Sequence, residues 1–594
     1  MKIKNLLTVM TGLALFCLAG CASPQKEAVA KEYAPIEVAV PERPAGQQDV
    51  IQLTAPKLDT VRVGFIGLGM RGPGAVARWT HIPGTKIVAL CDLRPKCVER
   101  AQGILEKAGL PKAAEYSGSE DAWKQLCERD DIDVVYIASD WKHHAEMGVY
   151  AMEHGKHVAI EVPSAMTLDE IWALINTSEK TRKHCMQLEN CVYDFFELTT
   201  LNMAQQGLFG EVLHVEGSYI HNLEEFWGEY WNNWRLDYNN EFRGDVYATH
   251  GLGPACQLLD IHRGDRMKTL VAMDTKAVTG PELGKRYGLA NDSIEFQNGD
   301  HTMTFIRTEN GKTIHIQHDV MNPRPYSRMY QLTGTDGFAN KYPIEQYCLR
   351  PDQVDAKEVP NHENLNMHAA VPEDVKKALM QKYKHPIHQE LEETAKKVGG
   401  HGGMDYIMDY RLVYCLRNGL PLDMDVYDLA EWCCMAELTR LSIENGNAPV
   451  AVPDFTRGSW NKVKGYRHAF AKSCLQISYF NSGNIKTEEV VAGIGYNLFL
   501  LYIFCLFFYN TSTWLLRRDF FLLFQIFYQS IRRGGSHFMP RVGMVESITG
   551  GDVAVHTYFV LFIFVQRVAI HVFYGDTHGF AVTGMNGVGH ARHQ

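Results

Sequence analysis

The sequence predicts an α/β domain built on a parallel sheet, followed by an α+β domain built on an open, mostly antiparallel sheet. Between about residues 59 and 190, short apolar runs alternate with longer helical stretches, which is typical of a parallel sheet covered by helices. From about residue 191 the runs lengthen and alternate with a period of two, which is typical of antiparallel strands with one covered face. Two helical stretches, 405–418 and 426–445, complete the second domain, which we expect to end near residue 470.

The composition indicates a globular protein with a small or neutral ligand. The chain has 594 residues, of which 46% are hydrophobic and 22% are charged. That length allows about two to four domains. The formal net charge is -10 and the sequence pI is about 6.2, whereas a nucleic-acid-binding protein needs a clustered basic surface. We therefore expect no nucleic-acid partner.

The first residues predict export and a lipid anchor. Two lysines precede an apolar run from Leu6 to Leu18, which is too short to span a bilayer and has the order of a secretory signal. The run ends in Leu-Ala-Gly-Cys, which resembles the lipobox of bacterial lipoproteins and makes Cys21 the lipidated first residue of the mature chain. Residues 1–21 are thus the predicted signal peptide, and residues 22–58, rich in Pro, Ala and charge, are the predicted tether.

The 14 cysteines predict neither disulfides nor a metal site. The sequence has no Cys-x-x-Cys pair and no His/Cys cluster at zinc spacing. Cys91 and Cys191 lie in stretches that we interpret as strand ends. We expect buried free thiols and no metal ligands.

A glycine motif, Gly67-x-Gly69-x-x-Gly72, follows the first predicted strand and opens a helix. In this context the first glycine permits a tight turn, the second lets a pyrophosphate approach the backbone, and the third lets the helix pack on the strand. Asp92 ends the next apolar run, where its carboxylate can accept hydrogen bonds from the ribose hydroxyls of an adenosine and would repel a 2'-phosphate. The motif therefore predicts a Rossmann domain over residues 59–190 that binds NAD in preference to NADP.

Polar and aromatic side chains follow the fourth and fifth predicted strands. These strands run into "SDWKHH" and "IEVPSA". Ligands of open parallel sheets lie outside the carboxyl ends of the strands. We therefore expect the cofactor crevice to be rimmed by Trp141, His143, His144, Glu161 and Val162.

The segment "GDVYATHGLGP", residues 244–254, places Tyr247 and His250 three positions apart. At helical spacing both side chains point to one face. Histidine changes charge near neutral pH, and a tyrosine near the positive charge of a nicotinamide can have a lowered pKa. The spacing alone leaves two interpretations open: a proton-transfer pair, or a core tyrosine beside a hydrogen-bonded imidazole.

Five motifs occur in order along the chain: "GFIGLGMRG", "ALCDL", "YIASDWKHH", "EVPSA" and "YATHG". Together they resemble the Gfo/Idh/MocA oxidoreductase superfamily, and within it glycosyl hydrolase family 109, whose members are bacterial NAD-dependent α-N-acetylgalactosaminidases. The resemblance covers about residues 60 to 470. It implies a Rossmann domain followed by a substrate-binding domain over residues 191–470, whose sheet closes over the nicotinamide.

Two residues separate the hydrolase family from many dehydrogenases of the superfamily. Those dehydrogenases have Glu-Lys-Pro where this chain has Glu161-Val162-Pro163, and their lysine assists proton removal from the alcohol. Many also have an aspartate four residues before the active-site histidine, where this chain has Val246. The resemblance therefore implies a glycosidase. An NAD-dependent sugar oxidoreductase of the same superfamily is the alternative, and a lipoprotein that only binds glycans is a third hypothesis.

The resemblance also assigns site residues. Arg235 lies in "NNWRLDYNNEFRGD", whose tryptophans, asparagines and arginines are suited to stacking on a sugar and hydrogen-bonding it. The positions that match the NAD-binding residues of the family are Met70, Arg71, Asp92, Trp141, Lys142, His143, His144, Glu161, Val162 and Asn190. The positions that match its sugar-binding residues are Tyr219, Arg235, Tyr247, Ala248, Thr249, His250 and Tyr326, with Tyr247 and His250 as the candidate catalytic pair.

The mechanism that the resemblance implies is a redox-assisted hydrolysis with retention of the anomeric configuration. NAD+ takes hydride from C3 of the sugar, and the resulting ketone acidifies the hydrogen on C2. A base removes that proton, the anomeric group leaves by elimination, water adds, and the hydride returns. This route needs acid/base groups near C2 and C3 rather than a pair of carboxylates at glycosidase spacing. It implies a tightly held NAD and a glycan or glycoconjugate substrate; a homo-oligomer is left open.

Residues 471–594 differ in kind from the rest of the chain. These 124 residues include 15 charged and 23 aromatic ones, whereas the preceding 470 residues include 113 charged and 41 aromatic ones. The run "YNLFLLYIFCLFFYNTSTWLL" approaches the length and hydrophobicity of a membrane span. One interpretation is a C-terminal anchor. We favour a downstream sequence translated through a frameshift or a lost stop codon, because a lipoprotein needs no second anchor.

Overall fold

The computed structural model describes residues 34–466 and the backbone of four short strands between residues 538 and 584. The chain divides into two units, Met1–Tyr479 and Phe480–Gln594. The predicted signal peptide with Cys21 lies outside the described residues, as does the apolar run of the C-terminal segment.

The first sheet is parallel throughout, as predicted. Its strands are β1 (Val61–Ile66), β2 (Thr85–Cys91), β3 (Ala114–Tyr116), β4 (Val134–Ile137), β5 (His157–Ile160) and β6 (Cys185–Gln187). β4 and β5 are buried along their whole length, which explains why their sequences are apolar without alternation. The strand order is β3-β2-β1-β4-β5-β6. The order therefore reverses between β1 and β4, and the carboxyl ends beside that point form the ligand crevice of such sheets.

Helices connect these strands. They are α1 (Gly72–Trp79), α2 (Pro95–Lys107), α3 (Ala122–Cys127), α4 (Trp141–Glu153) and α5 (Leu168–Thr181). α5 begins with a capping box in which the Thr167 side chain accepts from the Glu170 N–H and the Glu170 side chain accepts from the Thr167 N–H. Such caps satisfy N–H groups that have no partner inside the helix. The alternation of strand and helix confirms the predicted α/β class.

The second sheet has eight strands in the order β13-β12-β11-β7-β10-β9-β8-β14. They are β7 (Val212–Ile220), β8 (Met267–Asp274), β9 (Thr302–Thr308), β10 (Thr313–Asp319), β11 (Tyr330–Gly334), β12 (Gly337–Asn340), β13 (Gln346–Leu349) and β14 (Val450–Ala451). β7 and β10 pair in parallel, and the remaining pairs are antiparallel. Along β9, buried and more exposed residues alternate, as expected for a sheet with one covered face. The predicted mostly antiparallel sheet is confirmed.

Helix packing in the second half brings one helix unusually close to the sheet. The helices are α6 (Phe195–Gln205), α7 (Trp234–Glu241), α8 (Thr249–Leu258), α9 (Thr279–Tyr287), α10 (Glu373–Lys382), α11 (Pro386–Val398), α12 (Met404–Asn418), α13 (Val426–Cys433) and α14 (Met435–Glu444). A Cβ on Gly251 of α8 would lie 2.6 Å from the backbone nitrogen of Ser218 in β7, and one on Gly217 would lie 2.4 Å from the Gly251 carbonyl oxygen. Side chains are therefore excluded at this crossing, and α8 lies directly on β7.

Residues 34–58 pack along the folded body, which differs from the free tether predicted for this region. Arg43 makes an ion pair with Glu179, with Nε 3.0 Å from Oε2. Val50 is 2% exposed, and its N–H donates to the Tyr427 hydroxyl at 3.1 Å. A segment without regular structure can still be ordered when neighbouring side chains satisfy its backbone. The composition of this segment is that of a linker. The residues that hold it in place are distant in sequence, so its own sequence does not reveal them.

Local details also differ from the sequence predictions. Cys91 ends β2 as predicted, but Cys191 lies in the 3-10 turn Asn190–Tyr193 that follows β6. The helix predicted over residues 426–445 is divided at Cys434, which is the C-cap of α13 and the N-cap of α14. The described cysteines are free and most are buried, which confirms the predicted thiols.

The described residues contain no helix with the length and apolar character needed to cross a bilayer. In the second unit, four strands pair antiparallel in chain order. They are β15 (Phe538–Met544), β16 (Phe559–Val565), β17 (Val568–Val572) and β18 (Val582–Gly584).

Candidate active site

The glycine motif forms the tight loop between β1 and α1. Gly67 has a φ of +87°, and a Cβ on it would lie 2.4 Å from the carbonyl carbon of Ala138. A Cβ on Gly72 would lie 2.0 Å from the carbonyl oxygen of Gly67. At Gly69 the nearest atom is the flexible guanidinium of Arg94, at 2.9 Å. The first and third glycines therefore shape the loop, and the second leaves its backbone open to a pyrophosphate.

Asp92 lies at the carboxyl end of β2, next to the glycine loop. Its carboxylate accepts the N–H of Leu68 at 2.7 Å and the N–H of Arg94 at 2.9 Å. Oδ1 also accepts the Arg94 Nε–H at 3.1 Å, which leaves about one carboxylate lone pair for a ribose hydroxyl. α1 begins without a side-chain cap; Pro73 has no N–H, and the N–H groups of Gly74 and Ala75 donate to the Arg71 carbonyl oxygen, so the Gly72 N–H is the one that a pyrophosphate could accept at this helix start. These groups together fit a bound NAD.

Arg71 links the glycine loop to both halves of the protein. Its Nε lies 3.7 Å from Glu161, and its Nη2 lies 3.7 Å from Asp405 at the start of α12. Asn190 donates to the same Asp405 carboxylate at 2.5 Å. Burial alone would raise the pKa of Asp405, but the hydrogen bond from His401 and the charge of Arg71 lower it. Asp405 therefore stays ionised and orients two of the predicted NAD-binding residues.

Trp141 and Lys142 join the Rossmann domain to the second domain. The Trp141 indole is buried and stacks on the Tyr247 ring, with centroids 5.6 Å apart and planes at 24°. Val162 belongs to the same buried cluster. Lys142 Nζ lies 3.0 Å from the Glu241 carboxylate at the end of α7. The predicted crevice residues thus reach the segment that contains the candidate catalytic pair.

The two adjacent histidines have different environments. His143 is exposed, and its Nδ1 lies 2.8 Å from Asp140. His144 is buried, with Nδ1 2.8 Å from the Pro163 carbonyl oxygen and Nε2 3.1 Å from that of Ser139. Burial lowers the pKa of His144, although these carbonyls oppose the shift. His144 therefore ties together the chain segments that leave β4 and β5.

Tyr247 and His250 lie in hydrogen-bond contact. The Tyr247 hydroxyl is 3.2 Å from Nε2 of His250. Tyr247 lies in the turn before α8 and His250 in its first turn, so the side chains meet at a helix start rather than along one helical face. On the other side of the imidazole, Nδ1 lies 2.8 and 2.9 Å from the two carboxylate oxygens of Glu189.

Burial raises the pKa of Tyr247 well above its ordinary value, and Tyr219 adds to the shift. The charges of Arg235 and Arg71 act in the opposite direction but are outweighed. The lowering considered from the sequence depends on the charge of a bound nicotinamide and stays a prediction; in the protein alone, desolvation of a phenolate dominates. The phenol is protonated, and it needs a nearby acceptor such as Nε2 of His250 to give up its proton.

Aromatic rings and one arginine line the site around Tyr247. The Tyr219 ring lies 4.8 Å from the Tyr247 ring. The Arg235 guanidinium lies 4.9 Å from the Trp141 ring and 4.7 Å from the Tyr247 ring, and its Nη1 donates to the Tyr230 hydroxyl at 2.7 Å. The buried Nε of Arg235 makes no hydrogen bond to any described residue. Because an unpaired buried donor is costly, a hydroxyl or carbonyl of a bound sugar would be favoured there.

The remaining predicted residues lie at the edges of the site. Ala248 and Thr249 are buried where α8 begins. Tyr326 is 40% exposed, and its ring is nearly perpendicular to that of His221, with centroids 4.8 Å apart. Met70 is 44% exposed on the glycine loop. Tyr326 and Met70 therefore occupy the rim, where they are accessible to a ligand.

Three potential metal-ligand atoms lie within 4.8 Å of one another, on Glu189, Cys191 and His250. However, Nη1 of Arg328 lies 2.9 Å from the Cys191 sulfur. A permanent positive charge at that distance repels a metal cation. The group therefore favours the hydrogen bond between Glu189 and His250, and the predicted absence of a metal stays a prediction.

Sequence reasoning missed two carboxylates of this site, Glu189 and Asp405. Glu189 follows β6, whose carboxyl end lies at the same sheet edge as those of β4 and β5; that parallel register is the signal that could have found it. Asp405 opens α12 after a glycine-rich loop. No pattern in the sequence places α12 against the glycine loop.

Two family models match the chain. The oxidoreductase family with an NAD-binding Rossmann fold matches residues 61–188, and the glycosyl hydrolase 109 C-terminal domain matches residues 193–462. Glycosyl hydrolase family 109 protein 1 of Phocaeicola vulgatus is 84% identical over 471 residues, which are 79% of this chain and 100% of the relative. The protein of that name from Bacteroides thetaiotaomicron is 78% identical over 469 residues, with the same coverage of 79% and 100%. The chain belongs to glycosyl hydrolase family 109.

Solved structures show the same fold in proteins of distant sequence. Levoglucosan dehydrogenase in complex with NADH is similar to this family 109 chain with a TM-score of 0.51 and 16% identity, over 66% of this chain and 99% of that chain. This similarity supports the Rossmann fold of the first domain and the open sheet of the second. The family 109 protein is thus a glycoside hydrolase whose Rossmann domain binds NAD.

Proposed function

We propose that this family 109 protein releases terminal α-N-acetylgalactosamine from glycans or glycoconjugates, with retention, by oxidation, elimination, water addition and reduction at one site. The observation that supports this is the hydrogen-bonded Tyr247–His250 pair, which adjoins Trp141 of the cofactor crevice. Val162 and Val246 stand where many dehydrogenases of the superfamily have a lysine and an aspartate. When bound, NAD+ would accept hydride from C3 of the sugar and its reduced form would return it.

The side chains have separate tasks in this proposal. Arg235 and Tyr219 bind the sugar, because the Arg235 Nε lacks a partner among the described residues and the Tyr219 ring offers a stacking surface. Tyr247 and His250 hold and move protons at C2 and C3, since one has a protonated hydroxyl and the other a ring nitrogen within reach of it. The buried rings around them form an apolar wall beside the pair.

The elimination step predicts exchange of the C2 hydrogen with solvent. The purified protein is incubated with a nitrophenyl α-N-acetylgalactosaminide in deuterated water without added NAD, and the released sugar is analysed by mass spectrometry. We expect turnover with retained NAD and deuterium at C2. Released sugar without C2 deuterium would contradict the mechanism.

The same assay separates the other hypotheses. A net sugar oxidoreductase would form NADH in a stoichiometric amount, which an absorbance trace detects. A lipoprotein that only binds glycans would bind the glycoside and release no nitrophenol. The matched α-N-acetylglucosaminide, which differs only at C4, tests the choice of sugar; equal turnover of both would contradict the proposed specificity.

We also propose that the protein is exported and anchored to the cell envelope through lipidated Cys21. The support is the apolar run that ends in Leu-Ala-Gly-Cys. Mass spectrometry of the mature protein tests it: we expect a chain that begins at Cys21 and carries added acyl mass. A Cys21→Ser variant should keep its signal peptide, and a soluble mature protein without lipid would contradict the proposal.

A further inference from the structure

The imidazole of His250 is held by a carboxylate from a distant part of the chain. Glu189 lies 61 residues before it, after β6, and both of its carboxylate oxygens lie within 2.9 Å of Nδ1. The Glu189 side chain is completely buried, and that of His250 is 11% exposed. Since carboxylate oxygens accept, Nδ1 of His250 must carry the hydrogen in this contact.

The fold builds a place for this carboxylate. The N–H of Cys191 donates to Oε1 of Glu189 at 2.9 Å, which fixes the side chain at the start of the 3-10 turn. On α8, a Cβ at position 253 would lie 2.9 Å from Cγ of Glu189. Gly253 therefore leaves the space that the carboxylate occupies, one turn after His250 itself. Packing against Glu189 therefore explains the second glycine of "HGLG".

The contact determines which nitrogen is free for chemistry. With Nδ1–H donated to Glu189, the lone pair of the neutral imidazole is on Nε2, which is the atom 3.2 Å from the Tyr247 hydroxyl. Val246, which is buried, leaves no carboxylate at the position where many dehydrogenases of the superfamily have one. Glu189 supplies a carboxylate to the same imidazole from another strand end.

We propose that Glu189 is a positioning residue of this enzyme: it holds His250 in the Nδ1-protonated form and directs Nε2 to Tyr247. The inference rests on the proposed function, because it assigns the carboxylate that orients the base in that site. Glu189 acts through His250 rather than on the sugar. A carboxylate in this position also stabilises the imidazolium that forms when Nε2 takes a proton.

The test is a Glu189→Gln variant, which keeps the shape and removes the charge. We expect kcat to fall by about 100-fold or more, as with other carboxylates that orient a catalytic histidine, and KM to change less than about twofold. The acidic limb of the kcat profile should move to lower pH, because the loss of negative charge disfavours the imidazolium. Glu189→Asp should recover part of kcat.

A matched control lies elsewhere in the protein. His262 and Glu431 form a second Glu–His pair, with Nε2 3.0 Å from Oε2 and both side chains 1% exposed. Glu431 also accepts a backbone N–H, that of Met267 at 3.0 Å. We expect both Glu189→Gln and Glu431→Gln to lower the thermal midpoint, because each weakens a buried Glu–His contact, but Glu431→Gln should leave kcat and the pH profile unchanged. Equal effects of the two variants on kcat would overturn the proposal.

A second readout does not depend on turnover. In protein labelled with 15N-histidine, the His250 signals are assigned by their loss in His250→Asn, and the tautomer is read from the ring nitrogen shifts. We expect Nδ1 protonated in the wild type and a mixture of tautomers in Glu189→Gln. An Nε2-protonated wild type would overturn the inference, as would stoichiometric zinc in it. An inactive wild type with the expected tautomer would reject the proposed function alone.

Discussion

Single side chains decide the protonation chemistry of the site. The Tyr247 ring packs against both Trp141 and the Arg235 guanidinium, which also contact each other, and its hydroxyl contacts His250 alone among the hydrogen bonds described for it. Its role in packing and its role in proton transfer are therefore carried by different atoms. A substitution that removes only the hydroxyl separates the two.

Tyr247→Phe should lose activity and keep the fold. The phenyl ring preserves the stacking, while the proton path to His250 is cut, so we expect kcat to fall by about 100-fold to 10,000-fold. The NAD that copurifies and the thermal midpoint should not change. Tyr410→Phe, in the row of tyrosines on α12, is the control and should be fully active. Wild-type kcat in Tyr247→Phe would contradict the catalytic assignment.

A buried pair of histidines makes the protein sensitive to acid. His157 and His184 lie with ring centroids 4.9 Å apart. Burial lowers the pKa of His184 to about 4, and the charge of Lys183 adds to the shift. Because the folded-state pKa of His184 is below its ordinary value, neutral His184 contributes fully to the free energy of unfolding above about pH 6.5. This contribution is lost as the pH falls toward 4.

His184→Gln should weaken this pH dependence, and the part due to His157, whose pKa burial also lowers, should remain. The wild type should lose free energy of unfolding, on the order of 3 kcal/mol from His184, between about pH 6.5 and pH 4. The variant lacks the imidazole and should not show this part of the loss. The measurement is urea unfolding at several pH values, compared between variant and wild type. His81→Gln, at an exposed position, should follow the wild-type curve. Parallel curves for His184→Gln and the wild type would refute the prediction.

At the scale of elements, the segment between β7 and α8 carries the second domain across the cofactor crevice. Its Trp234 ring meets Trp141 at 5.1 Å. Farther along the crevice, the Arg94 guanidinium lies 4.7 Å from the Trp231 ring centroid, and Trp231 is 52% exposed. Arg94 follows Asp92, so Trp231 lies at the end of the crevice where the adenosine is expected.

Trp231→Ala should release NAD faster. Loss of the cation–π contact removes about 0.5–1 kcal/mol, which corresponds to an about two- to fivefold faster dissociation. The fluorescence of NADH bound to the reduced protein follows this release in a stopped-flow chase. The control is Phe305→Ala, an aromatic residue that is 59% exposed on the second sheet. Identical release from both variants would show that Trp231 does not retain the cofactor.

Elements differ in how far the sequence reveals them. Gly67 and Asp92 could be predicted because their role follows from local spacing around one strand and one turn. The ordered packing of residues 34–58 could not be predicted, because this segment has no periodic hydrophobic pattern. Its order comes from contacts with distant residues such as Glu179 and Tyr427. The meeting of Tyr247 with His250 was predicted from helical spacing, yet it arises where a turn enters α8.

At the scale of the whole molecule, the alignment with the family 109 relatives indicates which part of the chain carries the function. The relative from Phocaeicola vulgatus is aligned over its whole length within 79% of this chain. The family models end at residue 462, before the aromatic-rich segment 471–594. The interpretation of that segment as a frameshift or read-through product stays a prediction.

A chain that ends after residue 470 should therefore fold and work. We expect it to retain NAD, to have the thermal midpoint of the full chain, and to release the nitrophenyl glycoside with kcat within about twofold of it, since both family models end before residue 470 and the relatives align over their whole length within 79% of this chain. Size-exclusion chromatography and the glycosidase assay test this. Aggregation or loss of NAD in the shortened chain would show that residues 471–594 support the fold.

The sequence by itself determined the order of strands and helices, the NAD site and the positions of Tyr247 and His250. Each depends on residues close together in the chain, whose spacing reports local geometry. Only the tertiary structure decided that Glu189 holds His250, that Asp405 orients Arg71, and that burial keeps Tyr247 protonated. Those contacts join strand ends and helix starts far apart in sequence, and burial exists only once the elements have packed.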